Sequence, residues 1–304
     1  MSPMPPSSTF FTASPHWNWL IISYFFVGGL AGGCYFLAVL IDFFGRASDR
    51  PLARLGYYVA FPTVVLSGLL LTVDLYRPER FWHMLIQSHT FRPMLKLYSP
   101  MSLGSWALLA FGGFAMLSFL ASLAEEGRLR QPWLVRFRPP GLLGGLLAVM
   151  GGVFALFVAA YTGVLLAVTN RPIWSDTPLL GLNFVLSAAS TSAALLILLA
   201  SRQYRTPGLA VLERFDRLVL ILEPIALIAL IVSLGSVARV WLSVWGVVLL
   251  IGVVVVGILL PLALLWRATD PTMPSTATAA LLVLIGGFVF RAVIVLSSST
   301  IRAI

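Results

Sequence analysis

The chain has 304 residues, 59% of them hydrophobic and only 10% charged. That leaves too little polar surface to cover a water-soluble body of this size, so lipid is the natural solvent. The formal charge of +9 does not indicate nucleic acid, because Lys and Arg fall in short clusters between apolar runs, where they act as topology signals. Cys34 is the single cysteine, so the chain by itself makes no internal disulfide, thiolate-ligated iron–sulfur cluster or Cys-rich zinc site.

Residues 1–17 include Pro3, Pro5, Pro6 and His16 but no Lys or Arg. They lack the basic start of a cleaved signal peptide, so the first apolar run is expected to be retained behind an outer N-terminal segment. A bilayer core needs roughly 20 apolar residues per helix. That ruler predicts eight transmembrane helices: Trp19 to Phe44, Leu52 to Leu75, Met101 to Leu123, Leu142 to Val168, Leu179 to Ala200, Leu218 to Leu234, Trp241 to Trp266 and Thr276 to Leu296. The fold class is therefore all-α integral membrane. The polar break from Asn170 to Pro178 divides the helices into two sets of four, read as bundles over 18–169 and 170–304. The narrowest break is Ser233 to Arg239.

Positive loops stay cytoplasmic. The first, third, fifth and seventh loops hold twelve cations: Arg46, Arg50, Arg54, Arg128, Arg130, Arg136, Arg138, Arg202, Arg205, Arg214, Arg217 and Arg267. The opposite side holds seven, four of them between Arg77 and Lys96. Both termini are thus expected outside an inner (cytoplasmic) membrane. Small-residue pairs such as Gly28-Gly29, Gly32-Gly33, Gly112-Gly113, Gly144-Gly145 and Gly151-Gly152 are expected to let helix backbones approach closely.

Polar groups in or beside the apolar runs are the candidates for chemistry, since an ionisable group in hydrocarbon costs several kcal/mol unless paired or hydrated. Asp42 reads as a solvated helix end. Asp74, beside Arg77 and Arg80, suits either a structural ion pair or proton transfer. Phe81 to Ile86 reads as a short amphipathic helix on the outer surface, or as a platform for another subunit. Tyr161, with Gly163 after it, is either an interfacial anchor or a phenol with room beside it for a planar ligand. Glu223, placed about two turns from the inner rim, and Arg291 are functional by position or form an ion pair. His16, His83 and His89 all lie outside the apolar runs, so no helix offers the imidazole of a b-type haem.

Several segments in order resemble the NrfD-type membrane subunits typified by the polysulfide reductase membrane anchor. They are Gly28-Gly29-Leu30-Ala31-Gly32-Gly33, the run from Asp74 to Trp82, Ser99-Pro100-Met101-Ser102-Leu103-Gly104, Tyr161-Thr162-Gly163, Asn170-Arg171-Pro172-Ile173-Trp174 and Gly286-Gly287-Phe288-Val289-Phe290-Arg291. The resemblance implies a haem-free anchor without its own iron–sulfur cluster or metal, exchanging electrons between quinone or quinol (menaquinone or ubiquinone) and a ferredoxin-like iron–sulfur subunit on the outer face. That subunit would serve a molybdopterin or other catalytic subunit. The resemblance puts Tyr161 at the quinone with first-helix residues nearby, where Tyr24 stands in place of the histidine of the polysulfide reductase pattern; Gly163 and Asp74 join the expected quinone site on the reading of the residues themselves. Asp74, His83, Glu223 and Arg291 become candidates for proton transfer, and Arg77, Arg80, Trp82, Arg92, Lys96, Arg171 and Trp174 for docking the partner. A purely structural anchor and a secondary transporter are the rival classes; the transporter would show broken helices and internal repeats.

Overall fold

The computed structural model describes residues 17–75, 77–201, 206–267 and 274–298. The outer segment 1–16 with His16, and also Tyr76, Arg202 and Arg205, lie outside the described residues. The described chain is all-helical: α1 (Trp19–Phe44), α2 (Arg50–Asp74), α3 (Pro100–Glu125), α4 (Leu142–Ala167), α5 (Leu180–Ala200), α6 (Pro207–Ser233), α7 (Val244–Val248), α8 (Leu260–Arg267) and α9 (Pro274–Ser297). A π-helical stretch, Leu249–Leu259, joins α7 to α8 in one span.

Among the described residues, seven spans are long and apolar enough to cross a membrane outright. The eighth is α6, which qualifies when taken with the short 3₁₀ helix Gly235–Leu242, bent from it by 112°. The sequence ruler started this helix at Leu218, but it begins eleven residues earlier, at Pro207. Apolar length measures only the part of a helix in hydrocarbon, whereas α6 has a charged overhang carrying Glu213, Arg214, Asp216 and Arg217. Arg214 and Arg217 therefore sit on a helix, not in a loop. Pro207 suits a first turn, where its missing N–H costs nothing. Asp49, buried between α1 and α2, accepts from Gly208 N at 2.8 Å and from Arg46 N at 2.9 Å. Asp49→Ala is expected to lower stability by about 1–2 kcal/mol in a thermal melt, the cost of a lost N-terminal cap.

Helices at the edge of the body bury small residues and show large aliphatic ones, whereas the central α1 buries Ile21, Ile22, Leu30, Leu37 and Val39 as well. In α4, Gly144, Ala148, Gly151, Gly152, Ala155 and Ala159 are buried, while Leu142, Leu146, Val149, Val153 and Leu156 are exposed. This is the 3.6-residue period inverted for a lipid solvent, with bulk outside and close packing inside. α1 packs on α2, α4, α5 and α9, and α5 packs on α4, α6 and α9. α1 and α5 are thus the seam along which residues 18–169 meet the rest.

The glycine pairs divide in role. A methyl on Gly33 would meet Ser192 and the Ala188 carbonyl, and one on Gly32 the Ala155 carbonyl, so these two set the α1–α5 and α1–α4 distances. Gly144 packs on the Arg138 backbone and Gly151 on the Tyr35 hydroxyl. Gly112 and Gly113 have nothing within 4 Å of a built methyl, so the packing role expected for them is not met.

Candidate functional site

Four helix ends meet at the predicted outer rim. Tyr24 lies five residues into α1, Asp74 ends α2, Pro100 opens α3, and Tyr161 is six residues before the end of α4. At 1.5 Å per residue, all lie within about 9 Å of that rim along their helices. The α3 end is fixed by Ser99, whose hydroxyl accepts from Ser102 N at 3.4 Å, followed by proline in the first turn.

Tyr161 is nearly buried, stacks on Phe157 at 5.6 Å and donates its hydroxyl to the Pro100 carbonyl at 2.7 Å. Its ring lies against Gly104, where any Cβ would overlap it. Gly104, not among the predicted site residues, thus makes the space for the phenol. The signal was its place in the Ser99–Gly104 segment, but only the packing assigns it to Tyr161. Gly163 does something other than leave room for a ligand, since its Cα faces the Leu180 carbonyl and seats α4 on α5. Tyr24 is buried and lies beside Gly28, which also faces the Ser67 hydroxyl. Asp74 is half-buried and makes no ion pair with Arg77 or Arg80 among the described residues.

Outside this cluster, the loop after α2 folds as a small cap. Pro78–Met84 form a 3₁₀ helix in place of the expected amphipathic helix, and Met94 N donates to the Leu85 carbonyl at 2.8 Å. Trp82 stacks on Phe91 at 6.3 Å and meets the His83 ring edge-on at 3.9 Å. Trp106 Nε1 ties the cap to α3 by donating to the Met94 carbonyl at 3.1 Å. Arg77, Arg80, Arg92 and Lys96 project from the cap as exposed cations.

Trp174 is a correction. Expected on a docking surface, it is fully buried, donates Nε1 to the Ile294 carbonyl at 2.8 Å and stacks on Trp17 at 4.9 Å. Ile173 turns it inward by adopting φ 72°, a left-handed conformation that strains a β-branched residue by about 1–3 kcal/mol. Arg171 covers the outer side of Trp174, 5.2 Å from the ring, and burial lowers its pKa. Next to it, Asn170, Pro172, Ser175, Asp176, Ser236, Val237, Arg239 and Val240 line an open groove of about 490 Å³.

The interior of the second half is polar where α5, α6 and α9 meet. Arg291 is fully buried. Its Nε donates to the Phe25 carbonyl at 3.1 Å, and its Nη1 to Ser187 Oγ at 3.1 Å and the Gly287 carbonyl at 2.8 Å. Glu223 lies sixteen residues into α6, of which the charged overhang takes the first eleven, so it stands five residues past Leu218, where the apolar run begins.

At the predicted inner side, Asp42 overturns its reading as a solvated end. Arg138 holds both its carboxylate oxygens, at 2.8 and 3.1 Å, and also reaches Glu125 at 2.9 Å. Tyr57 donates to Asp42 at 2.9 Å, and Arg50 bridges Glu125 to the Pro139 carbonyl. Burial acts to lower the Arg138 pKa, but Asp42, Tyr57 and Glu125 around it outweigh that and raise it.

A helical membrane protein with two buried phenols toward one rim and a basic cap at the same rim is the class these features define. The chain belongs to the NrfD family: the family model described as "Polysulphide reductase, NrfD" matches residues 7–303. It is a multi-pass integral membrane protein. Among curated relatives, it is 29% identical to the C chain of polysulfide reductase from Wolinella succinogenes over 274 residues, 82% of each protein. It is 29% identical to protein NrfD of Escherichia coli over 222 residues, 67% of this chain and 66% of that one. A shorter match, 29% over 75 residues, is to the C subunit of selenate reductase from Mesobacillus selenatarsenatis and covers 25% of this chain and 18% of that one.

Proposed function

We propose that the chain is the quinone-reactive membrane subunit of a multi-subunit oxidoreductase in the inner membrane. The observation that carries this is the buried Tyr161 phenol, bonded to the Pro100 carbonyl where α4 meets the start of α3, with the cationic cap tied to the same end of α3. Two relatives named as parts of a reductase support membership of such a complex.

In this reading the quinone head group enters from lipid and meets Tyr161. The phenol has one proton, already given to the Pro100 carbonyl, so its oxygen is free to accept from a quinol hydroxyl. To donate to a quinone carbonyl it must release Pro100. Reduction of a quinone takes up two protons with two electrons, so an acid must reach its oxygens. Asp74, at the end of α2, half-buried and without an ion pair among the described residues, would make that exchange, with His83 on the cap after it. Electrons come from or go to a ferredoxin-like iron–sulfur subunit docked on Arg77, Arg80, Trp82, Arg92, Lys96 and Arg171, backed by a molybdopterin or other catalytic subunit. Glu223 and Arg291 extend the reading to a proton route toward the inner side.

Tyr161→Phe is expected to cut quinone-linked turnover by roughly 10²-fold, the scale of a positioned proton-transfer group, while the complex still assembles. Unchanged turnover in an assembled complex would leave a purely structural anchor as the function. A fusion of alkaline phosphatase after Thr90 is expected to be active, with the cap and both termini outside; an inactive fusion reverses the sidedness.

A further inference from the structure

α5 and α6 face each other along a stripe of polar side chains, which hydrocarbon penalises unless they serve a purpose. From α6 come Glu213, Asp216 and Glu223, spaced three and seven residues apart, within one sector of the helix and about 15 Å along its axis. α5 contributes Asn183, Ser187, Ser190 and Thr191, again on one face. Ser190 donates to Asp216 Oδ1 at 3.0 Å. The deep end of the stripe opens into a cavity of about 20 Å³ between α5, α6, the π-helical stretch and α9. Glu223, Asn183, Ser187 and Thr191 form its polar wall, and Gly257 and Gly286, whose backbones touch, form part of the opposite one. This space is large enough for one water molecule and far too small for a quinone ring.

Arg291 closes the side toward α1. It shares Ser187 with the cavity, while its Nη2, buried and without a hydrogen-bond partner, lies against Gly29. α5 and the π-helical stretch contain no charged residue, and α9 contains only Arg291. The charged groups facing Glu223 are therefore Asp216 and Glu213 on its own helix and Arg291 across the cavity.

We propose that the cavity is a proton-holding water site, in which Glu223 exchanges a proton with the inner face along Asp216 and Ser190 while Arg291 bars passage to α1. In the loading step a protonated water gives its proton to the Glu223 carboxylate, leaving neutral water and a carboxylic acid; no electron moves. A guanidinium does not give up its proton, so the route ends at Arg291 unless that side chain leaves Ser187. This deepens the proton route proposed above, but the site loads a proton whether or not quinone is turned over.

The test is infrared difference spectroscopy of the full chain in lipid nanodiscs, between acid and alkaline pH, in H₂O and D₂O. The expected result is a protonated-carboxyl C=O band that shifts in D₂O, is lost in Glu223→Gln and persists in the surface variant Glu79→Gln. Asp216→Asn is expected to keep the band and slow its hydrogen–deuterium exchange by roughly 10²-fold, as for loss of a positioned proton carrier. No such band in the wild type, its persistence in Glu223→Gln, or unchanged exchange in Asp216→Asn overturns the proposal. If Glu223→Gln fails to fold, Thr191→Val removes one hydroxyl of the cavity wall without changing charge. It is expected to shift the band, and an unshifted band overturns the proposal. A band present in the chain, together with no quinone-linked turnover in the assembled complex, would refute the quinone reading and leave this one standing.

Discussion

Arg138→Met is expected to lower the free energy of unfolding by about 3–5 kcal/mol, the typical cost of removing one partner from a buried ion pair. Asp42 and Arg138 are both almost wholly buried, with side-chain exposure of 2% each. Removing the guanidinium leaves the Asp42 carboxylate with only the Tyr57 hydroxyl, and takes the Nε bond from Glu125. Methionine fills similar volume, so the loss reports charge more than a cavity. The measurement is denaturant unfolding in detergent micelles with the double variant Asp42→Asn/Arg138→Met alongside. The double variant should recover a large part of the loss, because no carboxylate is then stranded at position 42. A single-variant loss under about 1 kcal/mol would mean that water reaches the pair and screens it.

The second large effect is expected at Gly104. Gly104→Ala places a methyl group where the Tyr161 ring lies, so either the ring moves or α3 does. Both outcomes break the bond from Tyr161 to the Pro100 carbonyl. Under the proposed function, a displacement of about 1 Å in a positioning group costs roughly 10²-fold in turnover. Quinone-linked turnover should fall on that scale while α3 keeps its membrane insertion and the complex its partner. Adding Tyr161→Phe to Gly104→Ala should then cost little more, since both act through the same phenol. Additive losses would show that Gly104 acts on something other than Tyr161.

The spans were legible in the sequence because a run of about twenty apolar residues suits little besides a bilayer, and seven of the eight runs are spans in their own right. What apolar length could not show was a helix continuing past the hydrocarbon. α6 hides its first eleven residues in a stretch with four charges. Tyr161 stood out because a phenol near a helix end is conspicuous. Gly104 did not, since nothing local separates a glycine that clears space for a ring from Gly112, which faces open space. Asp42 and Arg138 are 96 positions apart, and no local pattern signals that they will meet. Trp174 was misread for the opposite reason: an aromatic residue in a polar loop suggests a surface, yet the left-handed turn at Ile173 folds it in.

The carboxylate of Asp49 joins the α1–α2 connection to the first turn of α6, while the last residue of α6, Ser233, is tied to the α4–α5 connection through Thr177 at 2.6 Å. The bent 3₁₀ helix Gly235–Leu242 is anchored in turn to α9, where Trp241 Nε1 donates to Ser297 Oγ at 3.4 Å. A helix pinned at both ends has no free arc to sweep. Fluorophores beside Gly208 and beside Arg239 should therefore report equally little motion during turnover.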